Sequence, residues 1–126
     1  MQGCDASVLI TSAGNAAEVN NNKHQGLRGL DVVDRAKAEL EEQCPGVVSC
    51  ADIIAFSARD ASCILSAGKV DFEVPSGRRD GTFSNASEPV KFLVPPTSNL
   101  SDLVDSFVVK GLDAEDLVIL SGAHTI

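Results

Sequence analysis

The sequence predicts an all-α fold, and three observations lead to that prediction. Apolar residues recur at helical spacing in several separate stretches, a capping residue precedes most of these stretches, and glycine, proline or a polar loop ends them. The chain has 126 residues, of which 44% are hydrophobic, so it is long enough for one domain with a core, spanning residues 1–126. About four helices with long irregular connections are therefore expected.

The first two helices are predicted from periodicity and from their ends. Apolar residues mix with charged ones at helical spacing from Leu30 to Gln43, and Cys44-Pro45-Gly46 ends that run. Ser49, followed three residues later by Asp52, resembles a capping box that opens a second helix from Cys50 to about Leu65. Because this second helix has little polar surface, it is expected to be the buried one.

The segment from Lys69 to Pro96 is predicted to be a loop with at most a short extended piece, because prolines and glycines punctuate it and no helical period survives. Beyond this loop, either Ser98 or Asn99 can cap a helix that runs through Val108 and closes at Gly111. The helices are thus expected on both sides of one long irregular connection.

The last predicted helix leads toward a histidine. Asp113 and Asp116 bracket its N-terminus, and Leu117 to Leu120 form its apolar part. Gly122 breaks the helical period, so His124 is expected at or just past the end of the helix. A lone histidine after a helix is more often a structural residue than a ligand.

Charge and hydropathy exclude two classes of partner. The formal net charge is −8 and the isoelectric point is near 4.5, whereas nucleic acids and anionic membranes require a basic surface. No run approaches the roughly 18 apolar residues of a membrane span, and Met1 to Asp5 has neither the basic start nor the apolar run of a signal peptide. Neither nucleic acid nor a membrane is therefore expected as a partner.

The cysteines are compatible with two chemical states. They are Cys4, Cys44, Cys50 and Cys63. Their spacing matches no zinc or redox pattern, so they are either small buried thiols or disulfide partners, and composition leaves both open. Two N-glycosylation acceptors, Asn85-Ala86-Ser87 and Asn99-Leu100-Ser101, favour the secretory route.

Two polar side chains stand out before any comparison with families. Asp52 lies on the most apolar predicted helix, so its carboxylate must be a cap, be paired or be protonated, and Arg78-Arg79-Asp80 offers pairing partners. A solvated acid in the first helical turn and a paired, buried acid both remain open at this point. His24, in a loop of Asn, Lys and Gln residues, is expected to be solvated.

Four blocks of the sequence are more specific than any single residue. They are Gly3-Cys4-Asp5-Ala6-Ser7-Val8-Leu9, Val48-Ser49-Cys50-Ala51-Asp52, Val74-Pro75-Ser76-Gly77-Arg78-Arg79-Asp80-Gly81 and Leu120-Ser121-Gly122-Ala123-His124-Thr125. In order and spacing, these blocks resemble the signature blocks of the secretory plant peroxidases, also called class III haem peroxidases. The resemblance covers essentially the whole chain, while the chain covers less than half of the family's catalytic unit. It implies a partial plant-type haem peroxidase fold.

The resemblance implies a haem b and two calcium ions. His124 corresponds to the proximal ligand of the haem iron, and Thr125 corresponds to a ligand of the proximal calcium. The distal calcium ligands correspond to Gly3 through its carbonyl, Asp5, Ser7 and, through water, Glu18. Both calcium sites are expected to be incomplete, because the other ligands of the family correspond to no residue of this chain.

The resemblance also implies that the chain lacks the acid–base pair of the family. A distal arginine and histidine assist cleavage of the O–O bond of peroxide, and no residue here matches them, so no catalytic residue is assigned. An asparagine that orients this histidine corresponds to the region of Lys23-His24-Gln25. Val94 corresponds to a proline that lines the aromatic-donor site.

Structural roles follow from the same resemblance. Asp52 and Arg78 correspond to a buried ion pair, which favours the paired interpretation of Asp52 over the solvated one. Cys63 corresponds to no family disulfide. The cysteines whose family partners lie outside this segment are Cys4, Cys44 and Cys50.

The function implied by the resemblance is oxidation of small phenolic donors by hydrogen peroxide. The parent enzyme is expected to be a monomeric, secreted glycoprotein of the cell wall or vacuole that takes part in the response to oxidative stress. This piece alone is expected to be inactive. One alternative is a non-catalytic helical fragment of a truncated open reading frame with weak or no haem binding, and another is a helical interaction module with chance motifs.

Overall fold

The computed structural model describes residues 4–12, 14 and 16–122, and this part of the chain is helical without a β-strand. The α-helices are α1 (Leu30–Gln43), α2 (Cys50–Leu65), α3 (Glu88–Phe92), α4 (Leu100–Val109) and α5 (Ala114–Ser121). Short 3-10 helices precede them at Ser7–Leu9, Glu18–Asn20 and Asn22–His24. The predicted all-α fold is confirmed.

Helices α1 and α2 have the bounds that periodicity predicts, and they pack against each other. Gly29 precedes α1 with a φ of +82°, in the left-handed conformation that favours glycine. Near the end of α1, the Lys37 ammonium pairs with the Glu41 carboxylate at 2.5 Å. Glu41 also accepts a hydrogen bond from the Gly46 N–H at 2.8 Å, so the end of α1 is tied to the turn that leads into α2.

The burial of α2 differs from its prediction. Only the first turn is buried, at Ala51, Asp52 and Ile53, whereas Ile64 and Leu65 near the other end are 76% and 87% exposed. The prediction that α2 is the buried helix is therefore wrong beyond its first turn. Low polarity correctly indicates an apolar helix, but it does not indicate which neighbours cover it.

The segment predicted as a loop contains the short helix α3. Pro89 occupies its first turn, where the fixed φ of proline suits helical geometry and an N–H group is not needed. The prediction treats every proline of this segment as a helix breaker, and this one begins a helix. Asn99 rather than Ser98 caps α4, because its side chain accepts from the Asp102 N–H at 3.0 Å.

Helix α5 begins with a complete capping box. The Asp113 carboxylate accepts from the Asp116 N–H at 3.0 Å, and the Asp116 carboxylate accepts from the Asp113 N–H at 3.0 Å. Helix α5 packs against α4, and Gly122 is its C-cap.

Two irregular segments run side by side and join the N-terminal loop to the rest of the chain. The Gly81 N–H donates to the Asp5 carbonyl at 2.6 Å. The Glu18 N–H donates to the Ser84 hydroxyl at 2.9 Å. The residues after α2 therefore reach back to the first residues of the described chain.

The buried apolar core is small. Its members within the described ranges are Ala17, Ala51, Ile53 and Leu117. Many large hydrophobic side chains are exposed instead, including Val109 on α4 and Val118 on α5. None of the helices that the structure describes is both long enough and apolar enough to cross a bilayer.

Candidate functional site

The carboxylate of Asp52 is the centre of a buried polar cluster. Asp52 is 6% exposed, and its Oδ2 accepts from the Gly77 N–H at 2.7 Å. Its Oδ1 accepts twice from Arg78, from the N–H at 3.2 Å and from Nη1 at 3.1 Å. The Gly77 amide, followed by Arg78, holds the pKa of Asp52 below its usual range, although burial acts in the opposite direction. The structure brings Asp52 and Arg78 together and adds the backbone of Gly77.

Asp80 completes the N-terminus of α2, a role that sequence analysis misses. Ser49 Oγ accepts from the Asp52 N–H at 3.1 Å, but the Asp52 carboxylate turns to the Gly77 loop, so the predicted capping box is only half formed. The Asp80 carboxylate accepts instead from the Ala51 N–H at 2.8 Å and from the Cys50 N–H at 3.1 Å. A negative charge at this position is also favoured by the helix dipole.

Three of the predicted distal calcium ligands lie together in the N-terminal loop. Ser7 Oγ donates toward the Glu18 carboxylate, whose two oxygens lie 3.2 and 3.3 Å away. Asp5 Oδ1 accepts from the Ser7 N–H at 3.1 Å. Ala6 between them has a φ of +57°, a left-handed conformation that curls the loop tightly. Gly3, the fourth predicted ligand, lies outside the described residues.

Gly81 touches this curled loop directly. A Cβ atom at Gly81 would lie 2.9 Å from Asp5 Oδ2 and 3.2 Å from Ser7 Cβ, so only glycine fits without a shift. Because Gly77 and Arg78 hold Asp52 while Gly81 holds Asp5, residues 77–81 connect the start of α2 to the N-terminal loop. We name residues 77–81 the bridging segment.

An apolar cavity of 530 Å³ lies between the loop after α3 and the helices α4 and α5. Val94, the predicted donor-site residue, is part of its lining, together with Leu117 and Ser121 of α5. His124 follows Ser121 by three residues in the sequence. Both His124 and Thr125, the predicted haem and calcium ligands at this end, lie outside the described residues.

His24 lines a second cavity, of 480 Å³. Its Nδ1 lies 2.8 Å from the carbonyl oxygen of Glu18, and the residue is half-buried rather than fully solvated as expected. The short 3-10 helix Asn22–His24 places the ring beside that carbonyl. Nothing in the polar local sequence indicates this burial.

The four cysteines, all among the described residues, are free thiols. Cys4 is exposed, and the other three are half-buried. Burial raises the pKa of the Cys50 thiol, and the nearby Asp80 carboxylate raises it further. Across residues 4–12, 14 and 16–122, no group of three or more His, Cys, Asp or Glu side chains is arranged to hold a metal ion.

A family model described as Peroxidase matches residues 1–126, and the chain belongs to this family. Peroxidase 2 of Zea mays is 64% identical to it over 132 residues, and Peroxidase 3 of Arabidopsis thaliana is 50% identical over 126 residues. Both alignments cover the whole chain, which spans 38% of the length of each relative. The resemblance to plant peroxidases is confirmed.

Proposed function

We propose that this chain is the part of a plant haem peroxidase that supplies the proximal iron ligand, His124, and one wall of the haem and donor cavity. The observation that supports this proposal most is the apolar cavity of 530 Å³ at the end of α5. Ser121 lines this cavity, and His124 is three residues further along the sequence. Three residues of chain span at most about 10 Å.

The residues of this cavity fit a haem b group. A porphyrin needs apolar walls, and Phe92, Leu93 and Phe107 line the cavity with aromatic and aliphatic surface. When bound, haem would supply the redox chemistry: hydrogen peroxide oxidises it by two electrons, and donor molecules reduce it again in two one-electron steps. His124 would hold the iron from one side, and Val94 would line the approach for small phenolic donors.

The chain's own residues would bind and orient the haem and the donor rather than transfer protons. Its sequence has no counterpart of the family's distal arginine and histidine, and a general acid–base group contributes roughly 10²–10⁴-fold to a rate. Turnover of the isolated chain with haem is therefore expected to remain near that of free haem.

The N-terminal loop fits a hard cation such as calcium. Asp5 and Glu18 supply carboxylates and Ser7 supplies a hydroxyl, which are the oxygen ligands that calcium prefers. Three side chains fall short of the six to eight oxygens that calcium takes, and the Gly3 carbonyl would add another. A cation there would brace the loop and, through Gly81, the bridging segment. Thr125 would serve the second, proximal ion.

The wider biology follows from the family rather than from the site. Hydrogen peroxide and small phenols would be the substrates, and the parent protein would be a secreted, glycosylated monomer of the cell wall or vacuole. The thiols of Cys4, Cys44 and Cys50 are free within the described residues, which is compatible with disulfide partners elsewhere in a longer chain.

A second candidate is a non-catalytic helical fragment that binds haem weakly or not at all. The observation that favours it is the exposure of apolar side chains such as Val118 and Ile119 on α5, the helix that lines the cavity of 530 Å³. Where apolar surface is left exposed to water in this way, an axial imidazole alone would hold a porphyrin loosely.

A haem titration followed at the Soret band tests the proposal. The native chain is expected to bind haem loosely with a histidine-ligated spectrum, His124→Ala is expected to lose this spectrum, and His24→Ala is expected to keep it. If His124→Ala binds haem as well as the native chain and with the same spectrum, the proposal is wrong, and if the native chain itself gives no Soret change on titration, the second candidate is favoured. A phenol-oxidation assay of the haem-loaded chain, with free haem as reference, tests the expected inactivity.

A further inference from the structure

The bridging segment contains the one Asp-Gly pair of the sequence, Asp80-Gly81. In such a pair the backbone nitrogen of glycine can attack the aspartate carboxyl group, because glycine has no side chain to hinder the approach. The product of this attack is a five-membered succinimide ring, which water reopens to aspartate or to isoaspartate. Whether this pair reacts therefore depends on whether the fold lets the two groups meet.

Both reacting groups are held by hydrogen bonds to other parts of the chain. The Asp80 carboxylate accepts with one oxygen from the Ala51 N–H at 2.8 Å and with the other from the Cys50 N–H at 3.1 Å. The Gly81 N–H donates to the Asp5 carbonyl at 2.6 Å. The carboxyl group must leave α2 before it can meet the Gly81 nitrogen, and that nitrogen must leave Asp5 before it can lose its proton. Reaction therefore requires that all three hydrogen bonds open.

Burial adds little to this protection. Asp80 is exposed and Gly81 is half-buried, so water reaches the pair. Water can supply the proton that the leaving oxygen needs and the molecule that reopens the ring. Because only hydrogen bonds separate the reacting groups, the rate should follow how often the bridging segment opens locally.

We propose that Asp80-Gly81 is a site of isoaspartate formation that the closed bridging segment suppresses. In the reaction the Gly81 nitrogen forms a bond to Cγ of Asp80, the nitrogen loses its proton, and one carboxyl oxygen leaves as water. Hydrolysis of the ring then adds one water. It breaks either the new bond to Cγ, which restores aspartate, or the bond to the backbone carbonyl carbon, which gives isoaspartate. The reaction needs no oxidant, metal or haem, and the mass of the chain does not change.

Isoaspartate at position 80 cannot reproduce the contacts of Asp80. Its main chain runs through Cβ and Cγ and is one atom longer, and its free carboxylate is attached directly to Cα. Gly81 has little room to shift in response, because an added Cβ would already lie 2.9 Å from Asp5 Oδ2. The modified segment therefore loses either the cap on α2 or the contact with Asp5, and the opening becomes permanent.

The rate of isoaspartate formation tests the proposal, with the folded 126-residue chain compared with the same chain unfolded in guanidinium chloride. Peptide mapping locates the product, because endoproteinase Asp-N cleaves before aspartate but not before isoaspartate. Each hydrogen bond shifts the local equilibrium by about fivefold, so the folded chain should react about ten- to a hundredfold more slowly than the unfolded one. Equal rates in the two states overturn the inference, and so does an unfolded chain that forms no isoaspartate at residue 80.

Two arginine variants of equal charge test whether the bridging segment controls the rate, each folded rate being divided by that of the same variant when unfolded. Arg78→Gln removes the guanidinium contact with Asp52 at 3.1 Å and should raise this ratio about three- to tenfold. Arg79→Gln, at an exposed residue beside Asp80, should leave the ratio unchanged. Equal ratios in the two variants contradict the proposal.

Circular dichroism shows whether each variant keeps its helices during the incubation. If Arg78→Gln does not fold, the native chain is measured instead at low concentrations of guanidinium chloride that leave it helical. Its rate should rise with the denaturant, because the bridging segment opens more often. A rate that stays constant until the helices melt overturns the inference.

Discussion

The carboxylate of Asp52 accepts its shortest hydrogen bond, at 2.7 Å, from the backbone N–H of Gly77, while its contact with the Arg78 guanidinium is 3.1 Å. The ion pair is therefore one of three interactions that hold this carboxylate. A buried acid that accepts several N–H groups is stabilised in its charged form. For that reason the bridging segment is fixed to α2 by its backbone as well as by a side chain.

Asp52→Asn is expected to lower the thermal midpoint of the chain. The amide removes the charge that pairs with Arg78 and places an NH₂ group where one of the two backbone N–H groups must donate. A loss on the order of 5 °C is expected at pH 7. Asp60→Asn is the matched control, since Asp60 is an exposed acid of the same helix that pairs with its neighbour Arg59. If the two variants melt at the same temperature, Asp52 does not stabilise the fold.

The contribution of Asp52 should depend on pH in a defined direction. Its folded-state pKa is lowered from 3.8, first by the Gly77 amide and then by Arg78. Its stabilisation is therefore fully present above the unfolded-state pKa and is lost as the pH falls through the lower folded-state value. The difference in midpoint between the native chain and Asp52→Asn should be constant between about pH 5 and 7 and should shrink below about pH 4. Melting curves across this range that stay equally separated at every pH would contradict the assignment.

Gly81→Ala is expected to destabilise the N-terminal loop. The added methyl group would lie 2.9 Å from Asp5 Oδ2 and 3.2 Å from Ser7 Cβ, so the Asp5 carboxylate must turn and the loop must shift slightly, which typically costs about 1 kcal/mol. Gly122→Ala is the control, because Gly122 has an ordinary helical φ of −56° and no neighbouring atom within 4 Å of an added Cβ. Chemical denaturation should show a lower midpoint for Gly81→Ala only. Equal midpoints would mean that the loop adapts at no cost.

Asp80→Ala is expected to loosen the first turn of α2. It leaves the N–H groups of Cys50 and Ala51 without their acceptor, and loss of a helix cap costs about 1 kcal/mol. Amide hydrogen exchange should become faster at these two residues. Asp71→Ala, at an exposed loop acid without a hydrogen bond to the described residues, should leave their exchange unchanged. Unchanged exchange in Asp80→Ala would show that water replaces the carboxylate without loss.

Local patterns predict most of the helices but few of the contacts between them. The bounds of α1 and α2 follow from apolar spacing and from end signals that lie within a few residues of each other. The α3 helix is missed because a proline such as Pro89 is compatible both with the end of a helix and with its first turn. The burial of α2 is overestimated because an apolar sequence does not specify its partners.

In the candidate site, too, local sequence patterns predict individual residues, whereas contacts between residues far apart in the sequence are missed. The first sequence block leads to Asp5 and Ser7, the resemblance adds Glu18, and the structure brings the three together. The cap from Asp80 to Ala51 joins residues 29 positions apart, and no short pattern encodes it. The partial burial of His24 is likewise not predicted, because no local pattern indicates its contact with the Glu18 carbonyl or the cavity that it lines together with residues of α3.

The bridging segment joins two distant parts of the chain, so we expect these parts to unfold as one unit. Arg78 and Gly81 are three residues apart, yet the first is held by α2 and the second by the N-terminal loop. A segment this short cannot release one end and keep the other in place without changing its own backbone. Any ligand that orders the loop at Asp5 should therefore also slow the opening of the first turn of α2. A destabilising substitution at either end should likewise make the other end open more often.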